Sequence, residues 1–286
     1  MPATLDSILA ATRRRVARAK AEADMGQLER EAAAHVPRGF GKQLRQAAGR
    51  GVAVIAELKK ASPSRGIIRA DFDPGQLAGE LQAGGASALS VLTDEEFFQG
   101  SLQNLRRASA QVSVPCLRKD FIVEEFQLLE SRANHADAVL LIVAALADPE
   151  LSRVCERARR LALDVLCEVH DEGELKRALA AGCEIVGVNS RNLRTFEMDL
   201  QTPLRLARQL PAGVLSVAES GIHSAEQVRE LRAAGYQAIL VGESLMRAPR
   251  PGDALRALLA QSGTEKSSAT HARSFVAEAT QDDADN

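Results

Sequence analysis

Eight short aliphatic runs recur along this chain, at residues 52–58, 86–92, 114–117, 138–143, 164–169, 185–189, 214–218 and 238–242, with starts 21 to 34 residues apart. Each is rich in Val, Ile, Leu or Ala and reads as a buried strand. Between them lie segments of helical spacing, such as DPGQLAGELQAGG, DEGELKRALAAGC and SAEQVRELRAAGY, each closing on Gly where a helix C-cap is expected. Strands separated by whole helices pair in parallel through right-handed crossovers. Eight such units predict an α/β protein, a (β/α)8 barrel of about 250 residues. A doubly wound open sheet is the competing arrangement. With no Trp and one Tyr in 286 residues, the core has to be aliphatic, which suits α/β layers.

The barrel is assigned to residues 50–260. Ahead of it, Leu5, Ile8, Leu9, Thr12 and Val16 fall at helical spacing, and a second short helix is expected near Phe40 to Ala48. Residues 1–49 therefore read as a helical extension, either a cap or a bottom plug. From residue 261 to 286 periodicity is lost and Ser, Thr, Asp and Gln accumulate, so a disordered tail is expected.

The net charge of −2 supplies no long-range field for nucleic acid or an anionic membrane, so an acidic ligand has to be held locally. No apolar run approaches the length of a membrane span, and the N-terminus lacks the apolar core of a signal peptide. The expectation is a cytoplasmic protein with a small-molecule substrate. Oligomeric state is open, with a monomer favoured. Cys116, Cys155, Cys167 and Cys183 show no paired spacing and read as buried, unpaired thiols of a reducing compartment. His35, His135, His170, His223 and His271 are scattered without ligand spacing, so no metal is expected. No dinucleotide or P-loop fingerprint occurs.

Charges fall where the aliphatic runs should continue. Alternation puts Ile55, Glu57 and Lys59 on one face of the first strand and Ala56, Leu58 and Lys60 on the other. A charge in a strand covered on both faces needs a partner or a purpose. The pattern recurs at Lys119, at Glu168, at Asn189 and Arg191, and at Glu219 with Ser220, each at the C-terminal end of a run. Those ends converge on one mouth of a barrel, where barrel enzymes keep their active sites. A structural ion network is the competing account, since Glu57, Lys59, Lys119, Glu168, Arg191 and Glu219 sum to zero charge. Burial and mutual interaction are expected to shift their pKa values towards a usable acid and base near neutral pH. Gly221 and Gly242 follow the seventh and eighth runs, the usual phosphate cradle of this fold.

These pieces resemble the indole-3-glycerol phosphate synthase family of TIM barrels in tryptophan biosynthesis. The likeness spans about residues 1–259 and rests on IAELKKASPSRG, LTDEEFFQGS, LRKDFIVEEFQ, ADAVLLIV, CEVHDEGEL, VGVNSRNLRTFEMDL, VAESGIHS and LVGESLMR. It implies a carboxy-lyase without cofactor. The substrate would be 1-(2-carboxyphenylamino)-1-deoxyribulose 5-phosphate, closed to the indole with loss of carbon dioxide and water.

Carried over residue by residue, the resemblance makes Glu57, Lys59, Lys119, Glu168, Asn189 and Glu219 catalytic, with Lys119 the candidate acid on the ribulose carbonyl oxygen. Which of Lys59, Lys119 and Glu168 supplies which proton is left open. Asn189 and Arg191 would position the substrate, Arg191 through its carboxylate, and Glu219 would orient a lysine or bind a ribulose hydroxyl. Ser62, Ser220, Gly221, Gly242 and Glu243 would bind phosphate, Glu243 through its backbone with the side chain turned away, because its carboxylate would repel a phosphate; some relatives carry Ser there. Leu92, Phe98, Phe121, Leu140, Ile142 and Phe196 would line the aromatic-ring pocket, and SPSRG would act as a lid. Two other readings compete: a sugar-phosphate lyase using Lys119 or Lys59 as a Schiff base, and a non-catalytic phosphosugar-binding barrel.

Overall fold

Each of the eight aliphatic runs is a strand of one closed parallel barrel in a computed structural model that describes residues 4–192 and 197–262. The strands are β1 (Ala53–Leu58), β2 (Ala88–Leu92), β3 (Cys116–Lys119), β4 (Ala138–Ile142), β5 (Asp164–Val169), β6 (Ile185–Asn189), β7 (Leu215–Glu219) and β8 (Ala238–Val241). Each pairs with the next, and β8 closes the ring on β1 from Ala53↔Ala238 to Ala56↔Val241. Closure removes both sheet edges and rules out the open sheet. The third strand starts and ends two residues later than its sequence pattern. Pro115 has no N–H to give the ladder; its carbonyl accepts from Leu89 N at 2.9 Å, and pairing begins at Cys116.

Alternation sorts the strand side chains into two layers. Val54, Ala56, Leu58, Leu89 and Val91 pack outward under the helices, whereas Ile55, Leu117, Leu140, Leu166, Val217 and Leu240 fill the barrel. The helices stop where the sequence places glycine: Gly182 and Gly235 have φ of 73° and 105°, left-handed values that let the chain turn into the next strand.

The N-terminal extension works at both ends of the barrel. Helix α1 (Leu5–Glu22) buries Leu5 and Ile8 in the interior cluster that includes Phe121. It also sends Arg15 to Asp120, just past the C-terminal end of β3, at 2.8 Å. Helix α2 (Met25–Ala34) lays Ala32 on Leu129 and Ala133. Helix α3 (Phe40–Ala48) plugs the opposite end: Phe40 and Leu44 are fully buried, and the Gly41 N–H donates to Asp164 Oδ2 at 2.9 Å. Truncating Phe40 to Ala would remove about 3–5 kcal/mol.

After β1 the chain folds into a short antiparallel ribbon, Ala61↔Ile67 and Ser62↔Gly66, around the SPSRG turn. No helix among the described residues is long and apolar enough to cross a membrane.

One expectation fails. Cys167 and Cys183 form a disulfide, with Cys155 Sγ 3.9 Å from Cys183 Sγ, so only Cys116 and Cys155 are free thiols. Sixteen residues separate the bonded pair, a spacing that carries no signal by itself. Adjacent parallel strands create the proximity: Cys167 faces outward from β5, and Cys183 lies in the turn entering β6.

Candidate active site

Four charged side chains enter the upper barrel from the four odd-numbered strands: Glu57 on β1, Lys119 on β3, Glu168 on β5 and Glu219 on β7. Alternate strands of such a barrel contribute to a common interior layer, and these four form one. All three carboxylates act electrostatically on Lys119. Lys119 Nζ lies 3.3 Å from Glu168 Oε2, and Lys59 Nζ lies 2.6 Å from Glu57 Oε1. The Glu57, Glu168 and Glu219 residues are nearly inaccessible, so each carboxylate is either paired or protonated. A cavity of about 180 Å³ lined by Gly41, Arg45, Asp164 and Cys183 opens at the other end of the barrel, away from these groups.

The electrostatics divide the site. Burial disfavours the charged ammonium of Lys119, but Glu168, Glu219 and Glu57 together outweigh it and hold its pKa above that of an ordinary lysine. Burial likewise disfavours the Glu168 carboxylate, yet Lys119, His170 and Asn189 hold it well below the usual range. Glu219 goes the other way: burial and the charges of Glu168 and Glu57 push it well up, against Lys119. Within the Glu168–Glu219 pair, a proton is therefore favoured on Glu219 over Glu168. The expectation that a lysine would be shifted towards an easily lost proton is corrected at Lys119, because the pull of three surrounding carboxylates outweighs burial.

Two glycines make room for this layer. A β-carbon on Gly187 would stand 1.9 Å from Glu219 Oε1, and one on Gly242 would stand 2.6 Å from Glu57 Oε1. Sequence spacing points Gly242 to phosphate alone and gives no signal for Gly187.

Asn189 ends β6, and its Oδ1 accepts from the Arg191 N–H at 2.9 Å. Arg191 then bridges Met198 across the loop that follows. Phe98, Phe121, Leu140 and Ile142 come together on the β2–β4 side, with the Phe98 and Phe121 rings 6.3 Å apart, and Leu92 is buried at the end of β2. Phe196 lies outside the described residues.

On the opposite wall, Ser220 and Gly221 follow β7 with φ of 67° and 73°, two consecutive left-handed residues. The Gly221 carbonyl accepts from Gln227 Nε2 at 3.0 Å, and Ser244 Oγ donates to Ile222 O at 3.3 Å, tying the β7 and β8 loops together. Glu243 opens the short helix Glu243–Arg247 and turns its carboxylate to Arg65 at 3.4 Å and Arg247 at 3.1 Å. Arg65 belongs to the turn of the β1 ribbon, whose Ser62 carbonyl accepts the Arg65 N–H.

A family model described as indole-3-glycerol phosphate synthase matches residues 5–258. The chain belongs to the indole-3-glycerol phosphate synthase family. It is 56% identical over 259 residues to an indole-3-glycerol phosphate synthase of Koribacter versatilis, covering 91% of this chain and 100% of the relative. It is 50% identical over 258 residues to one of Bordetella pertussis, covering 90% and 98%. Among solved structures, a 3-hexulose-6-phosphate synthase superposes with a TM-score of 0.59 at 15% identity, over 73% of this chain and 99% of the other. At that identity the likeness speaks for the barrel fold alone. In this synthase-family chain the motifs LRKDF, CEVH, GVNS and AESG are the ends of β3, β5, β6 and β7, so what joins them is one mouth.

Sequence spacing gives His170 no role, yet the structure brings it to the site. It directly follows β5, two residues after Glu168, and its Nε2 lies 3.4 Å from Glu168 Oε1. The i, i+2 spacing of CEVH carried that signal, since alternation puts both side chains on one face. Ser90, inward on β2 opposite Glu57 in register, is a second residue that sequence reasoning missed.

Proposed function

We propose that this chain closes 1-(2-carboxyphenylamino)-1-deoxyribulose 5-phosphate to indole-3-glycerol phosphate, the product in its family's name, and that the layer of Glu57, Lys119, Glu168 and Glu219 performs the proton transfers. The observation that carries this reading is the Lys119–Glu168 pair, 3.3 Å apart, standing between an apolar wall and a wall of loop backbone.

The aromatic carbon bearing the carboxylate attacks the ribulose C2 carbonyl, whose oxygen takes a proton as the carbon–carbon bond forms. Lys119 is a firm cation in a dry site, suited to donate to that oxygen and to stabilise the charge developing on it. Carbon dioxide then leaves, its bonding electrons restoring the aromatic ring. The C2 hydroxyl departs as water after gaining a proton, and the adjacent C1 carbon loses a proton as the C1–C2 pyrrole double bond forms, the ring nitrogen keeping its hydrogen. Glu219, which holds a proton, is the acid at hand for the first of these transfers, and ionised Glu168 is the base for the second. The Glu57–Lys59 pair supplies a further cation held on the β1 wall, and such acid–base steps contribute on the order of 10²–10⁴ each.

Leu92, Phe98, Phe121, Leu140 and Ile142 take the aryl ring, while Asn189 and Arg191 orient the substrate, with Arg191 reaching its carboxylate. Ser62, Ser220 and the backbone at Gly221, Gly242 and Glu243 take the phosphate. The Glu243 carboxylate is engaged by two arginines, which leaves its N–H without a repelling charge in front of it. The SPSRG ribbon closes as a lid.

A fluorescence assay for indole-3-glycerol phosphate, with purified protein and no added cofactor or metal, tests the reaction. Turnover supports it, whereas a folded protein that binds substrate without product returns the barrel to a binding role. Trapping with borohydride separates the Schiff-base alternative. The reading includes a monomer in the cytoplasm. The free Cys116 and Cys155 thiols suit a reducing compartment and the Cys167–Cys183 bond does not. Non-reducing peptide mapping of protein alkylated at lysis decides the compartment's redox state, and sedimentation decides the oligomer.

A further inference from the structure

His170 stands between two carboxylates. Its Nδ1 lies 2.9 Å from Glu174 Oε2, and the same oxygen accepts the His170 backbone N–H at 2.8 Å. Its Nε2 lies 3.4 Å from Glu168 Oε1. Neither atom of this second contact is accessible to solvent, and neither has an aligned hydrogen-bond partner elsewhere. A neutral imidazole carries one N–H and serves one carboxylate, leaving the other oxygen facing a lone pair. Serving both requires protons on both nitrogens.

We propose that His170 is a positioning residue for the Glu168–Glu219 pair: as an imidazolium anchored on Glu174, it fixes the pair's single proton on Glu219 and keeps Glu168 ionised. This rests on the reading of Glu168 as the reacting base. The charged and titratable groups facing the relay are Lys119 from β3, Glu174 from the helix Glu172–Ala180, Glu219 from β7 and Glu57 from β1. Lys119 lowers both Glu168 and Glu219, with its ion pair at 3.3 Å made to Glu168. His170, with Asn189, acts on Glu168 and deepens that bias. Burial opposes the imidazolium, but Glu168 and Glu174 push its pKa up to about 10, so the charge persists through neutral pH. The step is a placement of protons only: two on His170, one on Glu219 and none on Glu168.

Two measurements test it. In nitrogen-15 spectra of the wild-type protein, with the His170 ring assigned by its loss in His170→Gln, both ring nitrogens should stay protonated up to about pH 8.5, where an ordinary histidine is neutral. A His170 ring that is neutral at pH 7.5 overturns the proposal, whether or not the protein turns substrate over. In kinetics, His170→Gln and Glu174→Gln should shift the acidic limb of kcat/KM upward by about one pH unit or more and lower kcat about tenfold, with little change in KM. The sign follows from Glu168: without the adjacent cation, burial raises its pKa and it protonates at a higher pH. A folded His170→Gln with the wild-type pH profile overturns the proposal, and if that variant fails to fold, a wild-type profile in Glu174→Gln overturns it equally. Loss of wild-type turnover on the carboxyphenylamino-deoxyribulose phosphate would instead strike the functional reading, and the ring-nitrogen result would stand apart from it.

Discussion

Gly187 and Glu219 are complementary: the carboxylate on β7 occupies the space that a side chain on β6 would fill, with Oε1 only 1.9 Å from where a β-carbon would stand. A methyl group there also meets Leu166 Cδ1 at 3.2 Å, so neither neighbour yields freely. Gly187→Ala should displace the Glu219 carboxylate. The expected outcome is a stability loss of about 1–3 kcal/mol from overpacking, with kcat lowered by more than the melting shift explains. Thermal melts beside steady-state kinetics check it, and unchanged kcat would show that Glu219 has no role in turnover.

Lys119→Met keeps the volume and removes the cation. Glu168 then loses its 3.3 Å partner, and burial drives its pKa up. The expectation is a loss in kcat on the order of 10²–10⁴. Residual turnover should show an acidic limb moved to higher pH, because Glu168 protonates sooner. Inhibitory binding of a phosphate-bearing product analogue should survive, which separates lost chemistry from lost binding.

Glu219→Gln replaces a protonated carboxyl by a neutral group of similar shape. Burial and the nearby carboxylates already disfavour the charged form, so the substitution relieves repulsion instead of breaking a pair. The melting temperature should hold or rise while kcat falls about tenfold or more, since an amide has no proton to transfer. A lower melting temperature with normal kcat would reverse the assignment, making Glu219 structural.

At the other end of the barrel, Asp137 accepts from the Arg38 N–H at 2.7 Å, from Arg38 Nη2 at 2.6 Å and from the Cys116 N–H at 2.6 Å. Burial raises its pKa, but these bonds, His35 and the Arg38 charge outweigh it, so the folded value is depressed. Its contribution to stability is therefore complete above the ordinary carboxylate pKa of about 4 and is lost as pH falls through the lower native value. Asp137→Asn should cost about 3–5 kcal/mol at pH 7, because it strands a largely buried guanidinium. Urea titrations at pH 7 and near pH 3 should show the difference between the two proteins shrinking on the acid side.

The strands, the glycine stops after the helices and the mouth charges were legible because each depends on local spacing: Glu57 breaks an aliphatic run, and Lys119 and Glu168 each close one. Parity along CEVH held His170 as well, although a lone histidine gave no reason to look. Other features arise between strands. The direction of the Glu168 and Glu219 shifts depends on distances to Lys119 that no single segment contains. The Cys167–Cys183 bond and the space above Gly187 exist because β5, β6 and β7 are neighbours in register. The dual placement of the extension was likewise hidden, since helical spacing marks the buried face of α1 and α3 but not which end of a barrel receives it.

The charged layer comes from odd strands, whereas the even strands present Ser90, Ile142, Gly187 and Leu240 at the levels paired with Glu57, Glu168 and Glu219. Reactivity and fit are thus written on separate staves of the same barrel. Ser90, Ile142 and Leu240 can be varied while every titrating group stays where it is, so reshaping the interior beside the charged layer becomes a library problem on three uncharged positions.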